Sequence, residues 1–209
     1  MAENEVFINL PKTVQPTLEL PDPILLSYYQ DKDNRVIWAL DEIGEEAYDW
    51  ISSILEYNRV DKNLPITNRK PIKIIIANAG GSLEAARTVC EIIRISKTPV
   101  YGIAIGVCAS AASMIFLACH KRYALKNAYW VFHQGSCQGI SGSYQELESF
   151  MEDYKKQIKE LADFYKEYTN FPPEEIDRKL EKGDWYIYPK SALENKVIDE
   201  IISDIDIFS

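Results

Sequence analysis

A short, almost wholly apolar segment, Ile72–Ala77, constrains the fold of this sequence more than any other feature. Its letters, IKIIIA, show no alternation of polar and apolar side chains, which is typical of a strand buried on both faces of a parallel sheet. Two glycines, Gly80 and Gly81, follow the strand, and Ser82 is a residue type that caps helix N-termini. We therefore predict a buried strand, a tight turn and a helix that ends near Ile95.

The same alternation of strands and helices continues along the chain. Val100–Ile105 is a second apolar strand that ends at Gly106, and a helix of small residues is predicted to begin near Ser110. A third buried strand is predicted over Ala128–Phe132. Strands that alternate with helices predict an α/β fold with a largely parallel sheet.

The two ends of the chain differ in character. Residues 1–24 contain four prolines without sustained periodicity, so we predict an irregular N-terminal arm there. Residues 25–209 contain no linker-like stretch and are expected to form a single domain. Within that domain, a strand is predicted over Arg35–Leu40, a helix over Glu42–Tyr57 and the longest helix over Tyr144–Tyr168.

Composition narrows the class of protein. The net charge is −9, whereas a nucleic-acid-binding protein would need a basic surface. No apolar run is long enough to span a membrane, and the N-terminus lacks a signal pattern, so a soluble, cytoplasmic protein is expected. The four cysteines form no CxxC pair and only two histidines occur, so we expect reduced thiols, no metal site and no cofactor.

Two residues suggest nucleophilic chemistry. Ser110 stands where a buried strand meets a helix N-terminus, among small residues that would let a substrate approach. A serine needs a base to accept its proton, and His133, at the end of an apolar strand, is a better candidate than His120, which is expected in a solvated turn. The glycines 80 and 81 could expose N–H groups to an oxyanion or to a phosphate. Alternatively, Ser110 belongs to a buried structural helix and His133 is a structural residue.

Five segments, in their order and spacing, resemble the proteolytic subunit of the ATP-dependent Clp protease, the ClpP family. The resemblance covers roughly residues 34–202. The segments are Ile75–Leu83 (IIANAGGSL), Ile105–Ser113 (IGVCASAAS), Arg122–Asn127 (RYALKN), Val131–Gln134 (VFHQ) and Asp184–Asp199.

The resemblance implies a role for each matching position. The nucleophile of the family falls on Ser110, its base on His133 and the residue that orients the base on Asp184, which by itself is a plausible solvated turn residue. The backbone N–H groups that bind the oxyanion fall on Gly81 and Ala111. The implied activity is that of a serine-type endopeptidase.

The resemblance also implies a fold and partners. The family has a ββα superhelix shared with crotonases, and a projecting strand–helix handle that would correspond to about residues 135–168. Handles join two heptameric rings into a barrel, so a homo-oligomer is expected. Unfolded polypeptide substrates would be delivered by an AAA+ ATPase of the ClpX or ClpA type. The sequence has no phosphate-binding loop of the pattern G-x-x-x-x-G-K-[ST], so any ATP dependence would come from that partner.

Several positions depart from the family pattern, and other functions remain open. Gly135 stands where the family often has proline, and Ala-Ala-Ser follows Ser110 where Met-Gly is commoner in the family. Residues 1–33 do not match the usual processed N-terminus of the family. One alternative is a catalytically silent ring subunit, and another is a crotonase-type acyl-CoA enzyme. Ser113, one helical turn after Ser110, is the alternative nucleophile.

Overall fold

A computed structural model of the protein describes residues 23–137 and 140–208. Seven strands and seven α-helices occur in these residues, together with two short 3-10 turns, 66–68 and 205–208. The strands are β1 (Val36–Ala39), β2 (Ile72–Asn78), β3 (Val100–Ala109), β4 (Lys121–Ala124), β5 (Tyr129–Phe132), β6 (Trp185–Ile187) and β7 (Glu200–Ile201). The helices are α1 (Pro23–Asn34), α2 (Ala47–Val60), α3 (Leu83–Ile95), α4 (Ala111–Ala118), α5 (Tyr144–Tyr168), α6 (Pro173–Glu181) and α7 (Pro189–Glu194).

The strands form one sheet with a branch at β3. The main path is β1-β2-β3-β4-β7, and all of its neighbours are parallel. The first half of β3 pairs with β4, whereas its second half pairs in parallel with β5, with Ala109 opposite Val131. Strand β6 then pairs with β5 in the antiparallel direction, with Phe132 opposite Trp185. The branch therefore brings the ends of β3 and β5 and the start of β6 to one region.

Helix α3 shows how the sequence pattern produces the packing. The Ser82 side chain accepts a hydrogen bond from the Ala85 N–H at 3.2 Å and caps the helix as predicted. Spacing in the sequence predicts a buried face of Leu83, Ala86, Val89, Cys90 and Ile93, and all of these are buried except Leu83, which is partly exposed. Helix α4 is more extreme, because all eight of its residues are buried. Its small residues allow this close packing against the sheet, as expected for the segment after Ser110.

The predicted α/β fold with a parallel sheet is confirmed, although several elements were not predicted from the sequence. Helix α1 begins at Pro23, so only Pro23 and Ile24 of the predicted N-terminal arm are described, and the rest of the arm lies outside the described residues. Strands β4, β6 and β7 and helix α7 were also not predicted. Residues 135–137 and 140–143, at the start of the expected handle, have no regular secondary structure. In the part of the chain described, no helix is both long and apolar enough to cross a membrane.

Candidate active site

Ser110 occupies a strained backbone position between β3 and α4. Its φ is 53° and its ψ is −127°, a combination that a residue with a side chain rarely adopts. Hydrogen bonds on both sides hold it there: its N–H donates to the Val131 carbonyl at 2.9 Å, and its own carbonyl accepts from the Ser113 hydroxyl at 2.6 Å. Such strain persists only where the surroundings fix the backbone, and it often marks functional sites.

His133 lies directly after β5 and faces Ser110. The distance between His133 Nε2 and Ser110 Oγ is 2.6 Å, which is a short hydrogen bond. On the other side of the ring, His133 Nδ1 lies 3.6 Å from Asp184 Oδ1, slightly beyond hydrogen-bonding distance. The structure thus brings together the three side chains that the sequence resemblance indicated, with a tight contact to the serine and a looser one to the aspartate.

The pairing of β5 with β6 explains the position of Asp184. Helix α6 ends at Glu181, and Asp184 immediately precedes β6, whose first residue pairs with the last residue of β5. Because the two strands are antiparallel, the residue before β6 lies beside the residue after β5, which is His133. The Asp184 side chain is 56% exposed, so solvent competes with the imidazole for its carboxylate.

The Gly81 and Ala111 N–H groups are both available near Ser110. The Gly80 carbonyl accepts from the Ile43 N–H at 2.9 Å. Since N–H and C=O point in opposite directions across a trans peptide, the Gly81 N–H points away from Ile43. Ala111 is the first residue of α4, where the N–H has no partner within the helix. No hydrogen bond within residues 23–137 and 140–208 uses either N–H.

The two glycines are required for this geometry. Both have positive φ, 114° at Gly80 and 145° at Gly81. A Cβ on Gly80 would lie 2.7 Å from Ser110 Cβ, and a Cβ on Gly81 would lie 2.6 Å from Ile43 N. Glycine at these positions lets the turn pass close to both Ser110 and the Ile43 backbone, to which it is hydrogen-bonded.

Asn78, which the sequence analysis did not single out, holds this turn. Its side chain is 1% exposed, and its Oδ1 accepts from the Gly80 N–H at 2.7 Å. Its Nδ2 donates to the Asp41 carbonyl. A polar residue at the end of an apolar strand was the signal that could have identified it, because a buried amide needs partners for both of its polar atoms.

A cleft of about 620 Å³ opens beside Ser110. Its walls include the turn at Gly81 and Ser82 and one side of α5. From α5 it receives Phe150, Tyr154, Gln157, Ile158 and Leu161. From the segment after His133 it receives Gln134, Gly135, Ser136 and Cys137. Ser110 therefore lies beside a cleft with a mixed polar and apolar lining, large enough for a side chain of a bound peptide. Within the described residues, no group of three or more metal-ligating side chains occurs.

Comparisons with known proteins show which family the chain resembles. The Clp protease family matches residues 28–204. The ATP-dependent Clp protease proteolytic subunit of Deinococcus radiodurans is 28% identical over 179 residues, covering 76% of this chain and 87% of the relative. Proteolytic subunit 2 of Treponema denticola is 31% identical over 134 residues, covering 63% of this chain and 66% of the relative.

A solved structure extends the agreement to the fold. A point mutant of ClpP1 from Listeria monocytogenes superposes with a TM-score of 0.73 and 25% sequence identity. The match covers 88% of this chain and 99% of that protein. Because the family match extends over most of the chain and the fold agrees, the chain belongs to the Clp protease family, as a relative of its proteolytic subunits.

Proposed function

We propose that this chain is a serine endopeptidase subunit in which Ser110 is the nucleophile, His133 the base and Asp184 the residue that orients the base. The 2.6 Å contact between His133 Nε2 and Ser110 Oγ carries the proposal. A serine and a histidine in this contact, beside free N–H groups and a cleft, have the features of an acyl-transfer site.

In the first step, a peptide carbonyl binds in the cleft with its oxygen toward the Gly81 and Ala111 N–H groups. Ser110 Oγ attacks the carbonyl carbon as His133 Nε2 takes the hydroxyl proton. The two N–H groups hold the oxyanion, which carries more charge than the carbonyl did and is therefore stabilised more. When the C–N bond breaks, His133 gives its proton to the leaving amine and an acyl-enzyme remains.

In the second step, water replaces the amine. His133 removes a proton from the water as its oxygen attacks the acyl carbon, and the same N–H groups hold the second oxyanion. The proton returns to Ser110 Oγ as the acid product leaves. Asp184, on the Nδ1 side of the ring, stabilises the imidazolium that forms in both steps.

We further propose that the subunits assemble through the handle, about residues 135–168 of a single domain that covers residues 25–209. Large apolar side chains remain exposed just before α5 and in its first two turns, whereas Leu161 and Tyr165 near its C-terminal end are buried. The exposed side chains are Ile140, Tyr144, Leu147, Phe150 and Met151. An apolar helix face of this kind is typical of a protein interface, and a second copy of the chain is the partner that the family relationship indicates. The assembly would be stacked heptameric rings that receive unfolded polypeptides from an AAA+ ATPase of the ClpX or ClpA type.

A fluorophosphonate probe tests the chemistry. We expect the purified protein to react with one equivalent per chain, with the adduct mapped by mass spectrometry to Ser110. The Ser110→Ala variant should neither react nor cleave a fluorogenic peptide. An adduct on Ser113 would identify the other serine as the nucleophile, and an unlabelled but folded protein would indicate a silent ring subunit.

The mass of the native particle tests the assembly. Met151→Glu adds a negative charge to the apolar face of α5, and Gln145→Glu adds the same charge at a polar, exposed position of the same helix. We expect the first variant to dissociate and the second to keep the mass of the wild-type oligomer. A wild-type monomer at micromolar concentration would contradict the assembly without affecting the proposed chemistry.

A further inference from the structure

Tyr165, in α5, is packed directly behind the active site. It is completely buried, and its ring stacks on Phe132 with centroids 4.1 Å apart and planes 5° from parallel. Phe132 is the last residue of β5 and precedes His133. The ring stack therefore joins α5 to the end of the strand that leads to His133.

Ser113 is packed on the other side, beneath Ser110. It is completely buried, and its hydroxyl donates to the Ser110 carbonyl at 2.6 Å. The Ser113 N–H donates to the same carbonyl at 3.0 Å. Because the hydroxyl proton is used in this way, the lone pairs of Ser113 Oγ are available to accept from another donor.

The Tyr165 hydroxyl is buried near two polar groups of the site. Its polar neighbours are the Ser113 side chain and the His133 backbone. Neither contact has the geometry of a well-aligned hydrogen bond, and the hydroxyl has no other partner in the described part of the chain. Burial raises the pKa of this phenol, so it stays neutral and keeps its proton for donation. A buried hydroxyl without an aligned partner is uncommon and calls for an explanation.

We propose that the Tyr165 hydroxyl links the His133 backbone to Ser113, and through Ser113 to the Ser110 carbonyl, so that Tyr165 and Ser113 are positioning residues for the nucleophile and the base. The inference rests on the proposed function. Because Tyr165 lies in α5, this link makes the handle helix part of the catalytic geometry.

The strained backbone of Ser110 makes the position of its side chain sensitive to the loss of this link. A residue held at φ 53° relaxes when a restraint is removed, and its Oγ then moves relative to His133 Nε2. Small misplacements of a nucleophile reduce turnover strongly while substrate binding elsewhere in the cleft is unchanged. Loss of the link should therefore lower kcat and leave KM nearly constant.

The test uses Tyr165→Phe and Ser113→Ala, which remove single hydroxyl groups, and the double variant. We expect each single variant to lower kcat for a fluorogenic peptide and the rate of fluorophosphonate labelling by about tenfold, with little change in KM. The kcat of the double variant should be no lower than that of the less active single variant, because both substitutions break the same link. Tyr168→Phe, on the same helix but stacked on Phe164, is the matched control and should retain the wild-type rate.

A purely structural role gives a different result. If Tyr165 only fills space, removal of its unaligned hydroxyl leaves kcat and labelling unchanged and keeps or raises the melting temperature. That result, or losses in the two single variants that add in the double variant, would overturn the proposal. If the wild-type protein fails to label and to cleave, the proposed function fails first, so the two failures are distinguishable.

Discussion

The Ser110 N–H donates to the Val131 carbonyl at 2.9 Å and joins the end of β3 to the strand that leads to His133. This bond extends the parallel pairing of β3 with β5 by one residue. Ser110 and His133 are therefore positioned by the register of the sheet. Asp184 depends on a second pairing, that of β6 with β5, and is held less closely.

The difference between the two contacts of His133 predicts unequal effects of substitution. If the proposed roles hold, Ser110→Ala and His133→Ala should each reduce kcat by about a million-fold, as removal of the serine or histidine of a catalytic triad does. Asp184→Ala should cost less, about a thousand- to ten-thousand-fold, because its carboxylate is exposed and 3.6 Å from Nδ1. Single-turnover measurements would check this order, and an Asp184 variant as inactive as the serine variant would contradict it.

Alanine substitutions at Gly81 and Gly183 distinguish two causes of destabilisation, steric conflict and backbone strain. Both have positive φ, 145° and 112°, but a Cβ on Gly81 would collide with the Ile43 backbone whereas one on Gly183 would meet nothing within 4 Å. Gly183→Ala should therefore lower the free energy of unfolding by about 2 kcal/mol from strain alone. Gly81→Ala should lower it by about 4 kcal/mol or more. Urea denaturation at a fixed protein concentration measures the free energy of unfolding of both variants. Equal losses of this free energy would mean that the Ile43 backbone moves aside at little cost.

Local patterns in the sequence predicted the elements around the site but not its distances. Ile72–Ala77 and the glycines after it predicted a strand and a turn, and Ser82 predicted the start of α3, because each depends on neighbouring residues. Asn78 was overlooked since its role depends on Asp41, which is distant in sequence. The separations of the Ser110, His133 and Asp184 side chains likewise follow from strand pairings between residues far apart in the chain.

The elements that were not predicted are those with weak local patterns. Helix α1 has mixed polar and apolar residues on every face, and its position depends on contacts such as the bond from Trp38 Nε1 to Asp31 Oδ2 at 2.9 Å. Strand β4 has only four residues, Lys121–Ala124, and two are charged, so alternation cannot be recognised. Both elements owe their structure to neighbours in space.

A buried ion pair near the edge of the sheet predicts a pH-dependent stability. Arg35 donates to both carboxylate oxygens of Asp61, at 2.6 and 2.8 Å, and the Thr98 hydroxyl donates at 2.9 Å. The hydrogen bonds from Arg35 hold the pKa of Asp61 below its usual value. Asp61→Asn should therefore destabilise the protein by about 3 kcal/mol near neutral pH, since it leaves Arg35 without its countercharge.

The sign of the pH effect follows from the direction of the shift. Because the pKa of Asp61 is lower in the folded protein, its contribution is present above the unfolded value of about 3.9 and is lost as pH falls through the folded value. The difference between wild type and Asp61→Asn in urea denaturation should thus shrink in acid. Asp163→Asn, at a 56% exposed position, is the control and should change stability by less than about 1 kcal/mol. A difference independent of pH would exclude the charge of Asp61 as its cause.

Cys137 should report on access to the active-site cleft. It is exposed and lines the cleft, whereas the other three cysteines are buried, and burial raises the pKa of their thiols. A maleimide should therefore modify Cys137 alone in the native protein, as peptide mapping would show. A bulky maleimide adduct there should raise KM for peptides, because it occupies the space next to Ser110, and Cys137→Ser should abolish the response to the reagent. Full modification of Cys137 with unchanged kinetics would show that peptides reach Ser110 by another route.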